Sequence, residues 1–197
     1  LPPIVKYNST TYNGGNQNWM ISQDQNKFVY FANNEGLLEF NGASWQLYPS
    51  ANETIIRSVK VIEENVYTGC YMEFGFWKRK SNGKLAYHSL SQAIKSKILD
   101  DEQFWNILSY EHWVVFQSLN RIYIYDLDKK NIKIITPQSG IFRSYQTKNA
   151  IYFQSGSGDL YEIEGGKSKI VSNNAVIKNN RIINVFAKDK DLLIQTQ

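Results

Sequence analysis

The side chains able to do bond chemistry are few and scattered. His88, His112 and Cys70 are the only imidazoles and the only thiol in 197 residues. A zinc centre needs about four such groups at short spacings. Here they are too few and too far apart, so no metal site and no cofactor is expected, and both histidines read as surface residues. No GxSxG elbow and no phosphate-loop glycine pattern occurs. Glu63 and Glu64 adjoin in a turn-like stretch and read as solvated, not as the converging acid pair of glycoside hydrolysis. Asp24, within Ser22-Gln23-Asp24-Gln25-Asn26, suits capping of a tight turn by its own carboxylate. The residues therefore predict a non-catalytic chain.

What remains is recognition chemistry. The segment YMEFGFWK, residues 71 to 78, places Tyr71, Phe74, Phe76 and Trp77 around one acid, Glu73, and one glycine, Gly75, read as a hinge. Whether these side chains meet a ligand depends on the elements that carry them.

Composition sets the frame. Hydrophobic residues are 42%, charged residues 20% and aromatics 14%. That is a globular balance, and its aromatic weight favours strands. One cysteine allows no internal disulfide. No 18-residue apolar run is present, so no membrane-spanning segment is predicted. A start at Leu1-Pro2-Pro3 without Met reads as a mature or trimmed beginning. The net charge of +4 is spread along the chain; its densest runs, Lys78-Arg79-Lys80 and Lys129-Lys130, read as solvated hairpin tips. Nucleic-acid binding by this region is not expected.

The chain repeats. Residues 28–42, 65–83, 113–131 and 150–166 each read as an apolar strand, a small or polar turn, a second aromatic strand and a Gly- or Asn-bearing turn. Tyr30, Tyr67, Val115, Tyr152 and Ile194 align at spacings of 37, 48, 37 and 42. This is the period of four-stranded propeller units. Further strand-like runs precede each hairpin (18–22, 55–62, 104–109, 141–146, 182–186) and follow it (45–49, 85–90, 132–137, 168–172). The predicted fold is therefore all-β: a β-propeller of four-stranded antiparallel blades with strands A to D, incomplete at about four and a half blades. Blades are placed at about 16–52, 53–101, 102–140 and 141–179, with a fifth starting at 180–197. Residues 91–103 read as an insertion of weak helical character, with Ile94 and Ile98 at i and i+4. Residues 1–10, through Ile4 to Asn8, read as an outer strand closing the ring. A fifth unit stopping inside strand B would leave an exposed edge, so the chain is expected either to pair with another chain there or to be only marginally stable.

At this point the residues resemble a known family. DQNKFVYFANNEGLLEFNGASWQLY, residues 24 to 48, resembles the propeller repeat of two-component regulators. YNGGNQNWMISQD, residues 12 to 24, and YMEFGFWKR, residues 71 to 79, resemble first- and second-blade segments of bacterial membrane-bound sensors. The third unit departs from the pattern, with RIYIY at 121–125 in place of GLLEF. The resemblance implies the periplasmic propeller of an inner-membrane protein. In that family it precedes a triple-tyrosine domain, a transmembrane helix and a histidine kinase or helix-turn-helix output, none of which this chain resembles. The family propeller has about seven blades, so the chain looks truncated.

In a propeller the B-to-C and D-to-A loops share one face, where ligands commonly bind. The candidate ligand-binding set there is Asn33, Glu35, Tyr71, Glu73, Asn120 and Arg143, with Phe74, Phe76 and Trp77 assigned to strand C. Tyr71 would serve as a stacking platform and Arg143 as a carboxylate fork. The expected partners are an oligosaccharide or peptide ligand and downstream domains of the same protein. Rival readings are a propeller enzyme, a lyase or glycosidase, and a plain protein-interaction scaffold.

Overall fold

The computed structural model describes residues 4–189 and 191–197. The chain is all-β, built as repeated four-stranded antiparallel sheets of the β-propeller type, and it divides into two compact units, residues 1–104 and 105–197. In the first unit, β1 (Asn18–Gln23), β2 (Val29–Asn33), β3 (Gly36–Phe40) and β4 (Trp45–Tyr48) pair in chain order. β5 (Ser58–Ile62), β6 (Asn65–Gly69), β7 (Phe74–Arg79) and β8 (Leu85–Ser89) form its second sheet. In the second unit, β9 (Asn106–Tyr110), β10 (Trp113–Gln117), β11 (Ile122–Asp126) and β12 (Ile132–Ile135) make one sheet. β13 (Ile141–Gln146), β14 (Ile151–Ser155), β15 (Leu160–Glu164) and β16 (Lys167–Ser172) make another, and β17 (Ile182–Lys188) pairs with β18 (Asp191–Thr196) as a hairpin.

The middle strands explain why the sequence folds this way. β10 reads WVVFQ and β11 IYIYD, apolar on consecutive positions rather than alternating, and both strands are almost wholly buried. A strand covered on both faces must carry side chains that bury well in both directions. One core of the first unit gathers Tyr30, Leu37, Ile56, Val59, Val66 and Trp77 from both its sheets. In the second unit Val115, Ile122, Ile124, Ile151 and Phe153 do the same. Outer strands are more exposed: β16, KSKIVS, buries almost nothing.

Three expectations are corrected. Residues 4–8 form no strand; Ile4 is 83% exposed, and Asn8 instead caps a one-turn helix, α1 (Ser9–Tyr12), through its side-chain oxygen. Polar Asn-Ser-Thr at the end of that run supplies a better helix cap than a strand edge. The insertion carries a 3-10 segment, Ser91–Lys97, broken at Ile94, so the expected Ile94–Ile98 pair never shares a helix face. A second one-turn helix, α2 (Ala175–Lys178), was not expected. Among the described residues no helix is long and apolar enough to cross a membrane.

Gly75 is no hinge. It lies inside β7, where an added Cβ would meet the His88 carbonyl oxygen at 2.2 Å and the Tyr87 hydroxyl at 2.6 Å. It is small because the paired strand β8 approaches it closely. Its neighbours fit strand C: Phe74 and Trp77 are buried, and half-buried Phe76 stacks on His88 with centroids 5.0 Å apart.

Candidate functional site

The loop-end residues are best built up within each unit. In the first, Asn33 closes β2 and is fully buried. Its amide nitrogen donates to the Gly15 and Gln17 carbonyls and to Asn18 Oδ1 at 2.7, 3.1 and 2.8 Å. Its oxygen accepts from the Gly15 and Glu35 backbone N–H groups. Every hydrogen-bonding valence is used internally, so Asn33 clamps the loop and cannot meet a ligand, contrary to the expectation. Glu35 is exposed in the adjoining turn.

Tyr71 and Glu73 share a loop but do different things. The Tyr71 hydroxyl donates to Asp101 at 2.6 Å, and its backbone bridges Gln103. That hydrogen bond to a carboxylate is the largest cause of its raised pKa. Glu73 Oε1 accepts from Tyr87 at 2.8 Å and Ser89 at 2.7 Å. Burial, then the Glu73 charge, pushes the Tyr87 phenol up. Glu73 thus ties its loop to β8, a structural use that YMEFGFWK alone does not disclose. Cys70, just before Tyr71, is buried, and that burial pushes its thiol up to about 12, away from the reactive thiolate.

The side chains that do gather at this end are partly different ones. Trp19 sits at a bulge in β1, is 38% exposed, and donates its indole N–H to Asn34 at 2.8 Å. The Arg57 guanidinium lies 4.2 Å from the Trp19 ring centroid and donates to Gln103 at 3.0 Å. Partial burial lowers the Arg57 pKa. Asn34, Trp19, Arg57, Gln103 and Tyr71 thereby form a continuous polar-aromatic run across the ends of both sheets. Trp19 and Arg57 lie inside runs that the sequence assigns to strands; the signal that could expose them is an aromatic at a bulge position, where the side chain is turned out of the ladder.

The second unit repeats the device. β13 bulges at its second residue, turning Phe142 outward at 45% exposure, and Arg181 lies 5.2 Å from that ring. Arg143 is exposed beside them and lines an open groove of about 570 Å³ with Leu119, Phe142, Arg181 and Ile183. Asn120 is exposed in the loop that supplies Leu119. Gln154, fully buried, plays the part of Asn33: its amide nitrogen donates to the carbonyls of Gly158, Ile177 and Asn180, and its oxygen accepts from the Ile182 N–H. In the SGSGD turn Gly158 has a positive φ of 88°, whereas Gly156 is needed for close approach to the Ser139 carbonyl.

At the other end of the first unit, Asp24 caps its turn as expected, accepting from the Phe28 N–H at 2.9 Å and the Tyr30 hydroxyl at 3.1 Å. Arg79, expected to be solvated, instead pairs with buried Glu39 and donates to Tyr30. Asp24, Tyr30 and Arg79 border a polar cleft of about 560 Å³ that Glu63, Glu64 and Lys78 also line.

No protein-family model matches the chain, and no curated protein matches it. Solved structures do. The extracellular domain assigned to the hybrid two-component system BT3049 of B. thetaiotaomicron superposes with a TM-score of 0.63 at 15% identity, over 93% of this chain and 26% of that one. The corresponding domain of BT4673 from the same organism gives 0.62 at 18% identity, over 91% and 25%. PorZ, a surface component of the type-IX secretion system of Porphyromonas gingivalis, gives 0.55 at 14%, over 91% and 23%. The chain spans about a quarter of the length of these neighbours. At such identities the likeness is one of fold.

Proposed function

We propose that this chain is a non-catalytic, ligand-binding sensor module: part of an extracytoplasmic propeller whose parent protein is anchored in the inner membrane and feeds a kinase or helix-turn-helix output. The observation that carries the reading is the Arg57–Trp19 stack, joined through Asn34 and Gln103 to Tyr71 at the loop ends. A flat aromatic beside a guanidinium and amides suits a sugar ring or peptide bearing polar and carboxylate groups. Support also comes from the resemblance of residues 12–48 and 71–79 to sensor propellers and from neighbours that are extracellular domains of two-component systems.

The test is calorimetric titration with a panel of oligosaccharides and peptides. Trp19→Ala and Arg57→Ala are each expected to weaken the best ligand at least tenfold, about 1.4 kcal/mol. A panel without any binder, or variants that bind like the parent, would sink the reading. The acid-lined cleft beside Asp24 favours the enzyme alternative enough to assay glycoside and lyase turnover with Glu63→Gln and Glu64→Gln. None is expected, because Glu63 and Glu64 adjoin in one turn and both Asp24 oxygens already accept hydrogen bonds, from the Phe28 N–H and the Tyr30 hydroxyl.

A further inference from the structure

In the sequence His112 has no metal-binding partner at short spacing. The fold gives it two. It lies in the turn between β9 and β10, while Asp126 ends β11 and Asp128 follows in the next turn. The Leu127 N–H donates to the His112 carbonyl at 2.7 Å, which fastens the two turns together. One ligand atom from each of His112, Asp126 and Asp128 then lies within 4.8 Å of the other two. Asp126 is 97% buried by its 3% exposure, and its two oxygens differ. Oδ1 accepts the Asp128 and Lys129 N–H groups at 3.0 and 2.8 Å. Oδ2 receives no hydrogen bond among the described residues and faces His112 Nε2 at 3.8 Å.

At 3.8 Å Asp126 Oδ2 and His112 Nε2 are too far apart to share a hydrogen bond and form only a loose pair. A cation seated between them would engage both. The geometry points to a divalent transition-metal site formed by His112, Asp126 and Asp128 on the turn edge of the β9–β12 sheet. A nitrogen ligand with two carboxylates selects zinc-like ions over calcium or magnesium, which prefer all-oxygen shells. Metal–ligand bonds of roughly 2.0–2.2 Å require the three atoms to close by about an ångström. Exposed Asp128 and half-exposed His112 have the side-chain freedom to do so. Three protein ligands leave a position for water. The Oδ1 bonds keep Asp126 fixed, so the metal would staple two turns whose backbones already touch. Lys129 and Lys130 follow on the same turn and oppose the cation, so binding depends on both carboxylates remaining ionised.

The experiment uses the 197-residue chain, free of any histidine tag and stripped with chelator. Zn²⁺, Co²⁺ and Ca²⁺ are titrated separately, with the Co²⁺ visible spectrum reporting the ligand field. One Zn²⁺ per chain is expected. Its affinity should fall at least roughly tenfold in His112→Ala and in Asp128→Asn. His88→Ala, altering the other imidazole, should leave it unchanged. Asp126→Asn is left out because its loss also uncaps the turn. The site is refuted by absence of saturable 1:1 Zn²⁺ binding up to about 1 mM. It is equally refuted by His112→Ala binding like the parent, or by Ca²⁺ binding as tightly as Zn²⁺.

Discussion

At the scale of single residues, Glu73 shows how one carboxylate can be taken from the ligand face by its neighbours. Removing it leaves the Tyr87 and Ser89 hydroxyls without their acceptor. Glu73→Ala is expected to cost about 1–3 kcal/mol in denaturant melts, with Glu73→Gln recovering part of it. Phe74 and Phe76 separate in the same way. Phe74 is fully buried and 4.7 Å from Phe104, so Phe74→Ala should cost about 3–5 kcal/mol. Half-buried Phe76 should cost clearly less when truncated, and equal losses would contradict the burial seen here. Asp159 gives a pH test. Its pKa is lowered, first by the Ser157 hydroxyl at 2.7 Å and then by Lys178 at 3.4 Å. A carboxylate depressed in the folded state stabilises above the usual carboxylate range and loses that contribution as pH falls through its lowered folded value. Asp159→Asn should therefore melt below the parent at pH 7 and converge with it as pH falls below the usual carboxylate range.

At the scale of elements, the close approach of the paired strands β7 and β8 makes Gly75 a packing requirement. Gly75→Ala must push the His88 carbonyl or the Tyr87 ring away, and is expected to destabilise by at least about 1–3 kcal/mol. Gly42, where an added Cβ meets nothing within 4 Å, is the companion control for the space, though its φ of 94° adds strain of its own. A recurring element also emerges: a buried amide near the end of strand B, Asn33 in the first unit and Gln154 in the second, holds the following connections by filling its own valences. Such a residue is expected to be lost through stability, not through ligand affinity, when changed to Ala.

At the scale of the molecule, each unit owns a core drawn from successive sheets, so stability is spread across repeats. Among the described residues β18 pairs only with β17, and Leu193 on it is 62% exposed. An uncovered strand edge invites pairing with another chain. Self-association that rises with concentration in sedimentation velocity is expected, and Leu193→Lys should weaken it.

The repeat, the strand order and the all-β class were legible because they follow from patterning: aromatic runs at a near-40-residue period, separated by turn residues, leave few other ways to bury that surface. Asp24 could be read for the same reason, since a turn cap acts on its own neighbours. What tertiary structure decided were the partners across strands. Asn33 looks like any loop amide until Gly15 and Asn18 fold back onto it, and Arg79 looks like one lysine-flanked surface cation until Glu39 comes beside it from 40 positions away. Trp19 and Arg57 meet only because a bulge turns the indole out of β1. His112 gains Asp126 because antiparallel pairing returns β11 to the turn that β10 leaves. Periodicity fixes which face of a strand is buried; which polar groups meet at its ends depends on register and bulges, set by pairing between segments far apart in the chain.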